Sequence, residues 1–105
     1  MDVGTIIKQL IKLRGFNQKE FAKNIGISET SLSLLVKGKT RPSADTMTRI
    51  SEELRVPFPV ISYLTLSEEE IPESKREAYR MLAPIIKHQL SKLFEVDMNI
   101  LKEKI

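Results

Sequence analysis

The sequence predicts an all-α protein, with a five-helix domain followed by a C-terminal helical extension. Apolar residues recur three and four positions apart, as in Phe21, Ala22 and Ile25, and this spacing places them on one face of a helix. Asn, Ser and Gly residues stand where such segments begin and end. No segment shows the alternating pattern of a strand. With 105 residues, 41% of them hydrophobic, the chain can build one small core and an appendage.

The first predicted helix covers residues 3–14. Its apolar side chains repeat at helical spacing, and they are Ile6, Ile7, Leu10, Ile11 and Leu13. Gly15 follows them directly and is predicted to end the helix.

The second predicted helix spans about 18–25 and leads into a sharp turn. Asn17 can cap its N-terminus, and Glu20 three residues later completes a plausible capping box. Gly26 supplies the left-handed residue that ends the helix. Ala22 is small where the second and third helices would cross, and a larger side chain there would push them apart.

The third predicted helix covers about 29–37, immediately after the turn. Ser28 is its predicted N-cap, and Ile27 enters the core just before it. Leu32 and Leu35 continue the buried stripe, so the polar and short side chains at the start of the helix face outward.

Two further helices complete the predicted domain. Ser43 is expected to cap a helix over about 44–55, whose apolar positions are Met47, Ile50 and Leu54. A short fifth helix is expected near 58–64. A proline at position 57 or 59 is compatible with that helix only in its first turn, where no backbone N–H is needed.

The chain changes character after residue 66. Residues 67–73 are acidic, contain a proline and have no apolar period, so they are predicted to be a linker. An amphipathic helical extension is predicted over residues 74–105, with a kink or a break at Pro84. Its apolar stripe consists of Ala78, Leu82, Ile85, Ile86, Gln89, Leu90 and Leu93.

A weaker pattern relates the extension to the domain. Residues 50–61 align with residues 90–101, because Ile-Ser and Val recur as Leu-Ser and Val forty positions later. Either the tail repeats the form of the fourth and fifth helices, or two amphipathic segments share a common apolar period. The second interpretation is the simpler one.

The second and third helices resemble the helix-turn-helix of the lambdoid phage repressor and Cro class, the XRE family. The residues that carry this resemblance are Gln18, Ala22, Gly26, Leu32, Leu35 and the exit loop Gly38-Lys39-Thr40-Arg41-Pro42-Ser43. The resemblance covers residues 4–66 and implies the five-helix, lambda-repressor-like domain. It also implies that the chain binds operator DNA as a dimer and regulates transcription.

The start of the third helix is the part that such a domain inserts into the major groove. The expected base contacts are therefore Ser28, Glu29, Thr30, Ser33 and Leu34. Glu29 departs from the Gln that the family often has, so the operator sequence stays open. Its carboxylate can accept a hydrogen bond from cytosine N4, or it can merely stabilise the helix N-terminus through the helix dipole.

Contacts to phosphates are assigned to other residues. The resemblance implies that Asn17 and Gln18 grip the DNA backbone at the start of the second helix, and the loop residues expected on the other side are Lys37, Lys39, Thr40 and Arg41. Residues 1–66 hold 10 Lys or Arg and 6 Asp or Glu, which gives +4, whereas residues 67–105 hold 7 and 8, which gives −1. The basic excess therefore lies in the DNA-binding part.

Other classes of protein fit the sequence poorly. The chain has no cysteine and no apolar run of membrane-spanning length, so a soluble cytoplasmic protein without a membrane partner is expected. His88 is the only histidine, so no histidine cluster can hold a metal, and no cofactor is expected. Gly38-Lys39-Thr40 looks like the end of a P-loop, but Ser33 stands where that motif needs a glycine. We expect no enzymatic activity.

Two functions from different classes remain open. The chain is either a dimeric transcriptional regulator or an antitoxin-type protein whose residues 74–105 bind a partner protein, with autoregulatory DNA binding. The expected dimer or partner interface consists of Phe58, Ile61, Leu64, Leu82, Ile86, Leu90 and Leu93. The third possibility is that the tail folds back on its own domain.

Overall fold

A computed structural model describes residues 2–96 of the chain. That part consists of six α-helices and two short 3₁₀ turns, without a strand. The helices are α1 (Val3–Leu13), α2 (Gln18–Ile25), α3 (Glu29–Val36), α4 (Ala44–Leu54), α5 (Phe58–Thr65) and α6 (Arg76–Phe94). The all-α prediction is confirmed, and the predicted bounds of the first five helices agree with the structure within one residue.

Four of the helices begin with the same capping hydrogen bond. The side chain of the N-cap residue accepts a hydrogen bond from the backbone N–H three residues later, at 2.7 to 3.1 Å. The N-cap residues are Asp2, Asn17, Ser28 and Ser43. Each such bond contributes about 1 kcal/mol, because it satisfies a donor that the helix itself leaves free.

Helices α1 to α5 together form most of the hydrophobic core of the protein. The largest fully buried side chains are Phe21, Ile6, Ile7, Leu10, Leu32, Ile50, Leu54, Ile61 and Val56. Helix α1 packs on α3 and α5, whereas α2 packs on α3 and α4. Ile61 and Leu64 were expected at an interface, but both are buried in this core. That part of the expected interface is wrong, because these side chains fix α5 to α1 and are not exposed to a partner.

Helix α1 approaches the end of α3 at backbone distance. A Cβ atom on Gly4 would lie 2.7 Å from the carbonyl oxygens of both Leu35 and Val36. Only a glycine fits between the two backbones, although glycine is a poor residue inside a helix. Gly4 therefore sets the position of α1 against the C-terminal end of α3.

Helices α4 and α6 end in the same way. Their C-terminal residues in the left-handed conformation are Arg55, with φ 59°, and Glu95, with φ 52°. In each case the N–H of the following valine donates to the serine carbonyl five positions earlier, at 3.1 Å in α4 and 3.0 Å in α6. The alignment of residues 50–61 with residues 90–101 thus begins with a repeated helix ending, and its last part lies outside the described residues.

A kink or a break was predicted at Pro84, and the break does not occur, because α6 runs continuously through this residue. Pro84 has no backbone N–H, so one carbonyl group in the preceding turn lacks its helical donor. Pro84 is exposed, and water can donate to that carbonyl group instead. Two 3₁₀ turns precede the helix: Glu68–Glu70 lies within the predicted linker, and Glu73–Lys75 lies where the linker was predicted to end and the helical extension to begin. Arg76 holds the first of them by donating to the carbonyl oxygens of Glu68, at 3.2 Å, and Ile71, at 3.0 Å.

An ion pair adds to this local structure. Arg80 donates through Nε to Oε1 of Glu68 at 2.9 Å. This hydrogen bond lowers the pKa of the Glu68 carboxyl group. The N-terminal half of α6 is thereby fixed to the turn that follows α5.

The C-terminal end of α6 returns to the domain. Arg14 donates to the carbonyl oxygens of Leu54, at 2.9 Å, and Glu95, at 2.7 Å, and also to that of Phe94. Val96 is buried in the core cluster. One guanidinium group therefore joins the ends of α4 and α6, where free carbonyl groups attract positive charge. The C-terminal end of α6 does pack against the domain, whereas the middle of α6 stays exposed.

Candidate nucleic-acid interface

The turn between α2 and α3 is held from both sides. Gly26 adopts φ 76°, and the N–H of Ile27 donates to the carbonyl oxygen of Ala22 at 3.0 Å. Ala22 is fully buried at the α2–α3 contact, as the sequence predicted. The short loop and the small side chain fix the angle at which α3 leaves the turn.

Arg49 of α4 supports the same turn, and this contact was not predicted from the sequence. Arg49 donates to the carbonyl oxygen of Ile25 at 3.3 Å and pairs with Asp45 at 3.1 Å. Its guanidinium lies so close to Gly26 that an added Cβ would meet it at 3.2 Å. Nothing in the spacing of Arg49 distinguishes it from an ordinary surface arginine, because the contact joins residues 24 positions apart.

The start of α3 is exposed. Ser28, Glu29, Thr30 and Leu34 are exposed, and Ser33 is half-buried. The five residues expected to contact bases therefore lie on or beside the outer face of α3, while Leu32, Leu35 and Val36 point into the core. The outer face offers hydroxyl groups, one carboxylate and one apolar side chain to a partner.

The Ser28 hydroxyl caps α3, which limits the hydrogen bonds that it can offer to DNA. Its Oγ accepts the N–H of Ser31 at 3.0 Å and donates to Oγ of Ser31 at 2.8 Å. A hydroxyl that already makes these two bonds has one remaining acceptor site. Thr30 makes no such side-chain bond within the described residues, so its hydroxyl is free to act as donor or acceptor.

Leu34 is the one large apolar side chain on the outer face of α3, and 38% of its surface is exposed. The domain therefore covers Leu34 only partly, and the remaining apolar surface faces outward. In a DNA groove, such a side chain can pack against the methyl group of thymine.

A basic loop leaves the C-terminal end of α3. Lys37, Lys39, Thr40 and Arg41 are all exposed, and the chain has no acidic residue between Glu29 and Asp45. In the part of the chain that the structure describes, none of these three cations is paired with a carboxylate. The loop is thus an unneutralised positive surface beside the outer face of α3.

A second basic surface lies at the N-terminal end of α2. Asn17 is exposed and Gln18 is half-buried, and both line a shallow depression together with Lys8 and Lys12 of α1. These two lysines are not among the phosphate contacts predicted from the sequence. Their spacing of four residues on a helix was the available signal, since it places both on one side of α1.

The expected interface residues outside the core are exposed to different degrees. Phe58, Leu82, Ile86 and Leu93 are exposed, whereas Leu90 is half-buried. His88 is also exposed on α6. Among residues 2–96, no group of acidic or histidine side chains is arranged to hold a metal ion, and no helix has the length and apolar character needed to cross a membrane.

A comparison with protein families agrees with this geometry. Residues 7–61, just over half of the chain, match the helix-turn-helix family HTH_3. The chain belongs to this family of XRE-type DNA-binding regulators. Neither the comparison with curated proteins nor that with solved structures gave a match.

Proposed function

We propose that this protein is a sequence-specific transcriptional regulator that binds two operator half-sites as a dimer, with the start of α3 in the major groove. The observation that carries the proposal is the exposed polar face of α3, which is followed directly by the exposed basic loop 37–41. Phosphates flank the major groove, so cations next to a reading helix favour its binding there.

The two kinds of contact would have different consequences. Thr30, Ser33 and Leu34 face base edges in this proposal, so they decide which sequence is preferred. Lys37, Lys39 and Arg41 face phosphates, so they hold the domain on any duplex. Glu29 repels phosphates but can accept a hydrogen bond from cytosine N4, which raises selectivity at the cost of affinity.

The test compares the duplexes selected from a random pool by the unmodified chain and by single variants. Thr30→Ala and Ser33→Ala should change the base preferred at particular positions of the selected site. Arg41→Ala should leave the preferred sequence unchanged and weaken binding to every duplex. Its salt dependence should also fall by about one unit in the log–log slope, because about one counterion fewer is released.

Lys75→Ala is the matched control for Arg41→Ala. It also removes one exposed positive charge, but from the turn before α6, far along the chain from α3. It should change neither the selected sequence nor the salt slope. Equal effects of all four variants on every duplex would show that the assignment of base and phosphate contacts is wrong.

The antitoxin-type alternative keeps the same DNA-binding surface. The observation that favours it is the exposed apolar side of α6, which a partner protein could cover. The two functions differ in whether the purified chain dimerises without another protein. A chain that stays monomeric alone and forms a stable complex only with a second protein would favour the alternative.

A further inference from the structure

Helix α6 carries an apolar stripe that its own domain does not cover. Its exposed large side chains have between 39% and 71% of their surface exposed, and they are Met81, Leu82, Ile85, Ile86 and Leu93. The side of α6 that faces the rest of the protein is a different one, on which Ala83 is buried and Phe94 half-buried. The α6 stripe, as we call these five side chains, thus points away from the core.

The size of the α6 stripe suits a dimer of modest affinity. Its five side chains expose an apolar area on the order of 500 Å², which is within the range of the largest apolar patch on a typical monomer, and such patches are often functional. Two such stripes packed together would bury on the order of 1,000 Å², which is about the minimum for a biological interface and typical of weak ones. Helix α6 is clamped at both ends, so little order has to be created when the stripes meet.

Charges beside the stripe indicate the orientation. Glu77 lies near the N-terminal end of α6 and Lys92 near its C-terminal end, and both are exposed. Positions 77 and 92 lie on the same side of the stripe, because fifteen residues correspond to about four turns of a helix. In an antiparallel two-fold pair of helices, each Glu77 would lie near Lys92 of the other copy, whereas a parallel two-fold pair would place these charges on opposite edges and form no such pairs.

We infer that the α6 stripe is covered by the α6 stripe of a second copy of this chain, with the two helices antiparallel. The two-fold axis passes near Ile85 and Ile86, the midpoint between Ala78 and Leu93. This register places the pair of Ile85 side chains at the centre and the Glu77–Lys92 pairs at both edges. The interface is isologous, as in most dimers, so it closes and adds no further copies.

The biological role of this dimer rests on the proposed function, because a two-fold pair of DNA-binding domains recognises an operator with two-fold symmetry. Its geometry does not depend on DNA, so the two can fail separately. A dimer that forms but is left intact by Ile85→Glu would overturn only this inference, because the two copies would then meet through another surface. A stable dimer that ignores every duplex would overturn only the proposed function.

The first experiment measures the dimer by sedimentation equilibrium of the full chain, from about 1 to 100 µM. The unmodified chain should dimerise within this range. Ile85→Glu should raise the dimer dissociation constant by about 100-fold or more, because two carboxylates enter the centre of the interface. Helical content should not change, because Ile85 is already 60% exposed in the protomer.

Lys87→Glu is the matched control. Position 87 lies on the same helix, only one or two residues from the stripe centre in sequence but on the opposite side of the helix, and is half-buried. It changes the charge by two units and should leave the dissociation constant within about threefold of that of the unmodified chain.

A charge exchange tests the orientation. Glu77→Lys and Lys92→Glu should each raise the dissociation constant by about tenfold, because each turns two attractive pairs into two repulsive ones. The double variant should recover the affinity of the unmodified chain. Single variants without effect, or a double variant that is weaker than either, would rule out the antiparallel arrangement. A monomer at 100 µM would overturn the inference as a whole.

Discussion

The close contact between α1 and α3 gives a prediction in which two effects oppose each other. Alanine is a better helix former than glycine by about 1 kcal/mol, so Gly4→Ala would stabilise an isolated α1. In the folded protein, the added methyl group would lie 2.7 Å from two carbonyl oxygens at the end of α3. Those oxygens belong to the backbone, so they cannot rotate away.

The cost of the steric clash should exceed the gain in helix propensity. Overpacking a close-packed site costs about 1–3 kcal/mol, and a clash with two fixed backbone atoms belongs at the upper end of that range. After subtraction of the gain in helix propensity, Gly4→Ala should lower the free energy of unfolding by about 2 kcal/mol. The melting temperature should fall by about 10 °C for a domain of this size.

Urea denaturation followed by far-ultraviolet circular dichroism measures this change. Gly38→Ala is the matched control, because nothing lies within 4 Å of an added Cβ there and its φ of 75° is the only source of strain. That variant should lose about 1 kcal/mol or less. A Gly4→Ala protein as stable as the unmodified chain, or more stable, would refute the steric argument.

Two more predictions concern the helix ends. Arg14→Met removes three hydrogen-bond donors to the carbonyl groups of α4 and α6 and should lower the free energy of unfolding by about 2–3 kcal/mol. A loss below about 0.5 kcal/mol in urea denaturation would show that these hydrogen bonds contribute little. Arg55→Gly removes the strain of a non-glycine residue in the left-handed conformation. It should raise the free energy of unfolding by about 0.5–1 kcal/mol, after subtraction of the entropic cost of glycine. A destabilised variant would contradict the claim that Arg55 is strained.

Much of the domain could be predicted from local patterns. Asn17 and Ser28 begin helices because a side-chain oxygen satisfies a free N–H, and Gly26 ends one because it tolerates a positive φ. These effects act within three or four residues, so the sequence displays them directly. The exposed face of α3 followed from the same period, once its apolar residues were assigned to the core.

Contacts between distant residues could not be predicted in this way. Gly4 looks unfavourable inside a helix until the backbone of α3 is known to lie against it. Arg14 and Arg49 resemble surface cations in the sequence, yet they bind carbonyl groups 24 to 81 positions away. Arg55 ends α4 without a glycine, so the usual signal for a helix end is missing there.

The tail shows a different limit. Its apolar period correctly predicted an amphipathic helix, but an apolar side chain can face either its own core or a partner. Ile61 and Leu64 face the core, whereas Leu82 and Leu93 remain exposed. Only the packing of α5 and α6 separates the two groups, because all four residues fit helical patterns equally well.

The most direct test of the central claim is a titration of the ¹⁵N-labelled chain with a short duplex at low salt, followed through its backbone amide signals. The largest changes should fall on residues 28–34 of α3, the exit loop 37–41 and the N-terminal end of α2, while α6 should stay unchanged. Changes confined to α6, or no changes at equimolar duplex, would contradict the account that α3 reads DNA.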